Sequence, residues 1–145
     1  MSENNPSSLP KSFYWIAGAA LVWNLLGLMA YVAQVSMSPE ALAALPDAER
    51  ALYEGIPTWV TSAFAIAVNG GVLGSLLLVL RKALALPVLV VSLLAVLVQV
   101  SYNILMTEAL AVLGPASAIG PLVLVVIAVY LVWFAGDAKK KGWIS

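Results

Sequence analysis

The side chains of this sequence that could do chemistry are carboxamides, hydroxyls and aromatic rings, and they recur at helical spacing. In the first apolar stretch Ala20, Asn24, Gly27, Tyr31 and Gln34 follow one another at steps of four, three, four and three, which sets them on one face of a helix. Ser62, Ala65 and Asn69 make a similar line in the second stretch, and Ser92, Ala95, Gln99 and Asn103 in the third, with Tyr102 beside them. These groups donate and accept hydrogen bonds without carrying charge. Brought together, they would form an uncharged polar recess for a small neutral solute, with Trp23 and Tyr31 as aromatic faces. The candidate solute-binding set is therefore Asn24, Asn69, Gln99, Asn103, Tyr102, Tyr31 and Trp23. A competing use of the same amides is to hold helices together, because lipid offers them no partners.

Other chemistry is excluded by what is missing. The 145 residues contain no Cys and no His, which removes thiol redox chemistry, Cys/His zinc sites, His-ligated haem and His-based nucleophilic catalysis. Seven bases balance seven acids, so no global basic field exists for nucleic acid. The acids Glu40, Asp47, Glu49, Glu54 and Glu108 read as solvated loop charges without paired geometry. No enzyme activity, cofactor or metal is expected. A path for ions is disfavoured as well, since charged-substrate sites place ionisable groups inside the membrane.

The elements that must carry these amides follow from composition. Apolar residues make up 63% of the chain and charged residues 10%, with a mean hydropathy of +1.01. A soluble domain runs at about 45–50% apolar and 25% charged. Four runs reach the roughly 20 apolar residues needed to cross a bilayer. They extend over about 13–35, 58–80, 84–106 and 116–135, and no Lys, Arg, Asp or Glu interrupts them. The runs are continuous and lack period-two alternation, so helices are expected and barrel strands are not. The fold class is all-α: one integral membrane domain over 1–145, a four-helix transmembrane bundle. A polar tail over 1–11 precedes it, and a basic tail over 136–145 follows it.

Six of the seven basic residues (Lys11, Arg81, Lys82, Lys139, Lys140 and Lys141) fall on one side of such a bundle, and Arg50 with the loop acids on the other. The positive-inside rule then puts both termini in the cytoplasm. Arg81, Lys82, the three lysines and Trp143 are expected at the membrane surface, with Trp143 anchoring the tail to anionic lipid. The loop between the first two spans should hold two short helices on the outer face. Ser38 would cap one ahead of Pro39, Asp47 would start the other, and Gly55 and Pro57 would end it.

The second span also carries Ala63, Ala67, Gly71 and Ser75 at four-residue steps, with Gly70 and Gly74 as a GxxxG pair. Small residues let backbones approach, so this stripe is expected at the tightest helix contact, within the chain or between copies of it.

Trp23-Asn24-x-x-Gly27, Ser38-Pro39-Glu40-Ala41-Leu42, Pro57-x-Trp59 and the closing Lys141-Gly142-Trp143-Ile144 together resemble a family of small four-span bacterial inner-membrane proteins often labelled "sugar transporter". The resemblance covers nearly the whole chain. It implies solute transport in the bacterial inner membrane without assigning a substrate or site residues. The expected function is an oligomeric transporter or facilitator of a small neutral polar solute, a sugar being one such solute. Four short helices leave little interior, so a second subunit is expected to complete a pathway. The alternative is an accessory or structural subunit bound to another membrane protein, in which the amides serve packing alone. Expected partners are therefore the lipid bilayer, copies of the chain or another membrane protein, and a small neutral solute, without nucleic acid.

Overall fold

A computed structural model describes residues 9–145. The polar tail read from the sequence over 1–11 lies outside the described residues as far as residue 8. The described chain is helical, and no strand occurs among its residues. Its α-helices are α1 (Lys11–Val35), α2 (Pro39–Ala43), α3 (Asp47–Glu54), α4 (Thr58–Val79), α5 (Ala85–Ser101), α6 (Ala109–Leu113) and α7 (Ile119–Lys140). A π-helical turn over Tyr102–Met106 extends α5, and a 3-10 turn over Pro115–Ala118 leads into α7. Four helical stretches, Lys11–Val35, Thr58–Val79, Ala85–Met106 and Pro115–Lys140, are long and apolar enough to cross a membrane. The architecture is the expected four-helix bundle of a multi-pass chain.

Prolines set several helix starts. Pro10, Pro46 and Pro57 occupy the residue before α1, α3 and α4 in extended conformation, and Pro39 opens α2, where a missing N–H costs nothing. Ser38 caps α2 by accepting a hydrogen bond from the Ala41 N–H at 3.1 Å. Asp47 makes no such cap. It is the first residue of α3, where its charge suits the helix dipole and pairs with Arg50.

The four long helices pack in chain order, α1 on α4, α4 on α5 and α5 on α7. Helix α4 is sandwiched between α1 and α5, which accounts for its small residues. A Cβ at Gly74 would stand 2.6 Å from Leu89 of α5, and one at Gly70 would stand 3.1 Å from the Ser92 Cβ. A Cβ at Gly71 would stand 2.8 Å from Asn24 Cγ of α1 and closer still to its Oδ1. Ala63, Ala67, Gly71, Gly74 and Ser75 are buried between these neighbours, with Gly70 at the edge.

All four long helices meet at the end of the bundle that holds Lys11 and Lys140, here called the terminal end. The core there combines Phe13, Ala17 and Ala20 of α1, Leu78 of α4, Ala85 and Leu89 of α5, and Leu131, Phe134, Ala135 and Ala138 of α7. Phe13 stacks on Phe134 with ring centroids 5.6 Å apart. These two rings are core residues, whereas Tyr14, Trp15, Tyr130 and Trp133 remain exposed as a membrane-facing belt. Nearer the other end a smaller cluster of Ala67, Ala95, Val96 and Val100 joins α4 and α5, with Leu124, Val125 and Ala128 of α7 against it. At the loop end the Tyr102 hydroxyl donates to the Gly55 carbonyl at 3.1 Å, and its ring meets Trp59 edge-on.

The basic tail folds back onto the bundle, with Ile144 and Trp143 against the terminal core. Helix α7 ends in a Schellman motif: Trp143 N–H donates to Ala138 O, Gly142 N–H donates to Lys139 O, and Gly142 adopts φ 72°. Helix α4 ends in the same motif around Arg81, which adopts φ 61° without being glycine. That conformation costs a non-glycine residue about 1–2 kcal/mol, and here the two ends hold each other. Arg81 Nε donates to Trp143 O at 3.0 Å, Ser145 N–H to Arg81 O at 3.1 Å, and Ala83 N–H to Ser145 O at 3.1 Å. Ile144 is buried in the terminal core, and Trp143 packs edge-on against Phe13. Gly142 and the buried Ile144 fold the segment back, leaving Lys139, Lys140 and Lys141 exposed around this clasp.

Candidate functional site

Beyond the Phe13–Phe134 contact, α1 and α7 stand apart and a cleft of about 290 Å³ lies between them. Trp23, Asn24, Leu26, Gly27 and Ala30 of α1 form one wall. Leu124, Ile127, Ala128 and Leu131 of α7 form the other. The floor comes from Phe64, Ala67, Val68 and Gly71 of α4 and from Leu89, Ser92, Val96 and Gln99 of α5. Gly27 and Gly71 line it where α1 and α4 pack closely, a Cβ at Gly27 meeting Val68 Cγ1 at 3.7 Å and one at Gly71 meeting Asn24 Cγ at 2.8 Å. The volume is at the lower edge of the roughly 300–1,000 Å³ of small-molecule sites.

The polar groups in the cleft are few. Asn24 Nδ2 donates to Ala20 O of its own helix at 2.8 Å and to Ser75 Oγ of α4 at 3.0 Å. Its Oδ1 accepts no hydrogen bond from the described residues. Ser92, buried, donates its hydroxyl to Ala67 O at 2.7 Å, bridging α5 to α4. The half-buried Gln99 amide makes no hydrogen bond to the described residues, so its full capacity of two donors and two acceptor sites is available. Asn24 lies level with Leu89 and Ser92, whose partners on α4 are Gly74 and Gly70. Gln99 is seven to ten residues further along α5, or about 10–15 Å at 1.5 Å per residue. The cleft is thus an elongated apolar slot with an amide near each end.

Only part of the expected set converges here. Asn24, Gln99 and Trp23 line the cleft, and Trp23 is 38% exposed at its rim. Asn69 points the opposite way: it is exposed, bonds to Ala65 O of its own helix at 2.8 Å, and borders a groove on the outer α4–α5 surface. Tyr31 packs edge-on against Phe64 at 5.2 Å and does not line the cleft. Tyr102 is buried as a strut to Gly55. Asn103 lies in the π-helical turn, and its carbonyl accepts from Thr107 at 2.6 Å. Outside that set, Ser92, Val96 and Ala128 also line the cleft. The signal for Ser92 was its place in the line with Gln99, and for the apolar residues there was none.

No carboxylate or ammonium lines the cleft, and no cluster of acids fit to hold a metal occurs among the described residues. What the arrangement can do is accommodate an apolar body and hydrogen-bond to one group near each end. No family model, curated protein or solved structure matches the chain.

Proposed function

We propose that this chain is a multi-pass membrane protein that transports or facilitates the passage of a small uncharged molecule through the α1/α7 cleft. The observation that carries this reading is the cleft itself, bounded at the terminal end by Leu89 and Leu131 of the core and bearing towards the other end a Gln99 amide without a partner among the described residues. The resemblance to a four-span transporter family supports the same class. The charge asymmetry supports placing both termini on the cytoplasmic side of a bacterial inner membrane. The cleft then lies in the half of the bundle away from the cytoplasm, and no catalytic step is involved.

The lining favours a solute less polar than a free sugar. Each unpaired hydroxyl transferred into an apolar site costs about 1–3 kcal/mol on the scale of protein mutations. Gln99, Asn24 Oδ1 and the Trp23 indole N–H could satisfy only a few of them. An amphiphile with an apolar body and one or two hydrogen-bonding groups fits better.

Uptake into proteoliposomes tests this, using a monosaccharide and its O-methyl and O-butyl derivatives. Flux above protein-free liposomes should rise with the apolar substituent. Gln99→Leu should lower it about five- to tenfold, the worth of one neutral hydrogen bond. Ala128→Phe, which fills the slot, should abolish it. Flux no greater than in protein-free liposomes for all three solutes would remove the transport reading.

A further inference from the structure

Asn69 is the only exposed carboxamide among the described residues of the membrane-spanning helices; Asn24, Gln34, Gln99 and Asn103 are all at least half-buried. It lies within about 1 Å of the midpoint of α4 at 1.5 Å per residue, and therefore about 15 Å from either edge of a 30 Å hydrocarbon core. Water and lipid headgroups are out of reach at that depth. Its one hydrogen bond goes back to Ala65 O, leaving an N–H and the carbonyl oxygen without a partner among the described residues. An unpaired polar group in hydrocarbon is costly.

We infer that this face of α4 is where a second copy of the chain docks. The inference rests on membrane embedding and is independent of the cleft. Two chains inserted with the same orientation and related by a twofold axis along the membrane normal bring Asn69 to Asn69 at one depth. Each amide then gives its free N–H to the other's oxygen, an exchange that the isologous geometry supplies without further adjustment. Any other partner would need a donor and an acceptor at the matching depth; a copy has them by construction. The residues around it suit a helix contact. Ser62, Ile66, Asn69, Leu73, Leu76 and Leu80 are all exposed and recur at steps of four and three. That is the seam of a left-handed helix pair, in which a single polar residue fixes register. Gly70 and the neighbouring α5 surface at Pro87, Val88 and Val91 make a groove of about 420 Å³ beside the seam, able to take the partner's Ile66 and Leu73. Of the two uses expected of the small-residue stripe, it serves packing within the chain and not contact between copies, because α1 and α5 already cover it.

Because the chain has no cysteine, single cysteines report contact directly. Ile66→Cys and Leu73→Cys, on the seam, should form covalent dimers in liposomes under mild oxidation. Met29→Cys on α1 and Val126→Cys on α7, each 67% exposed in the parent residue, should not. Adding Asn69→Leu to the Leu73→Cys chain should weaken dimerisation about 3- to 30-fold over a lipid dilution series, and Asn69→Gln should retain most of it. Asn69 lies outside the core, so the Leu variant should keep its helical circular dichroism. Equal cross-linking at all four positions, cross-linking at none, or a dimer indifferent to Asn69→Leu would overturn the inference. So would capture of Leu73→Cys by a different protein in native membranes without dimers. Transport failing while these cross-links persist would remove only the reading of the cleft.

Discussion

Replacing Gly71 by alanine places a methyl group where the Asn24 amide now sits, 2.8 Å from its Cγ and closer to its Oδ1. Asn24 must leave its rotamer and lose the hydrogen bond to Ser75. An interhelical bond of this kind contributes about 0.6 kcal/mol on average and up to about 1.7, and an off-rotamer side chain costs about 0.5–1.5 kcal/mol. Against these losses, alanine is about 0.5–1 kcal/mol better than glycine inside a helix. The expected net effect of Gly71→Ala is a loss of about 1 kcal/mol. In an Asn24→Ala background the obstacle is gone and only the helix gain remains, so Gly71→Ala should then stabilise by about 0.5–1 kcal/mol. The sign reverses between the two backgrounds. Unfolding of the four chains of this double-mutant cycle, followed in one lipid or detergent system, measures the reversal as a coupling energy. The same sign in both backgrounds would show that Gly71 and Asn24 do not share this space.

Glycines elsewhere should behave differently from one another. Gly74→Ala meets Leu89 Cγ and Cδ2 at 2.6 Å inside the terminal core and should cost about 1–3 kcal/mol, whereas Gly18→Ala meets nothing within 4 Å and should gain about 0.5–1; thermal unfolding of both variants checks the contrast. Tyr102→Phe removes the bond to Gly55 O and should cost about 1 kcal/mol while leaving the cleft untouched. Its effect should show as faster hydrogen exchange over α3 and the loop end, with transport unchanged.

The spans were legible because uninterrupted apolar runs of this length have one stable form in lipid, and the loop helices because Ser38 and Pro39 mark a start with a known hydrogen bond. Facing was harder to read. A membrane helix is apolar on its lipid side and on its packed side, so periodicity carries little contrast, and amides became the guide to the interior. That guide served for Asn24 and Gln99 and misled for Asn69. Asn69 and Gly71 are two residues apart, about 200° around a helix, so the small stripe and the amide cannot share a side. The stripe takes the interior because α1 and α5 can approach only where side chains are small. The clasp was also missed, although Gly142 one residue past three lysines, with Trp143 after it, has the pattern of a helix C-terminus.

The packing order of α1, α4, α5 and α7 repeats their order along the chain. Each spanning segment entering the bilayer finds its neighbour already in place, and little rearrangement of earlier contacts is needed. The slot is different, because its two walls are the first and last of these segments. Intermediates lacking α7 hold finished helix pairs but only one wall of the slot, so the cleft is completed in a single late step of assembly.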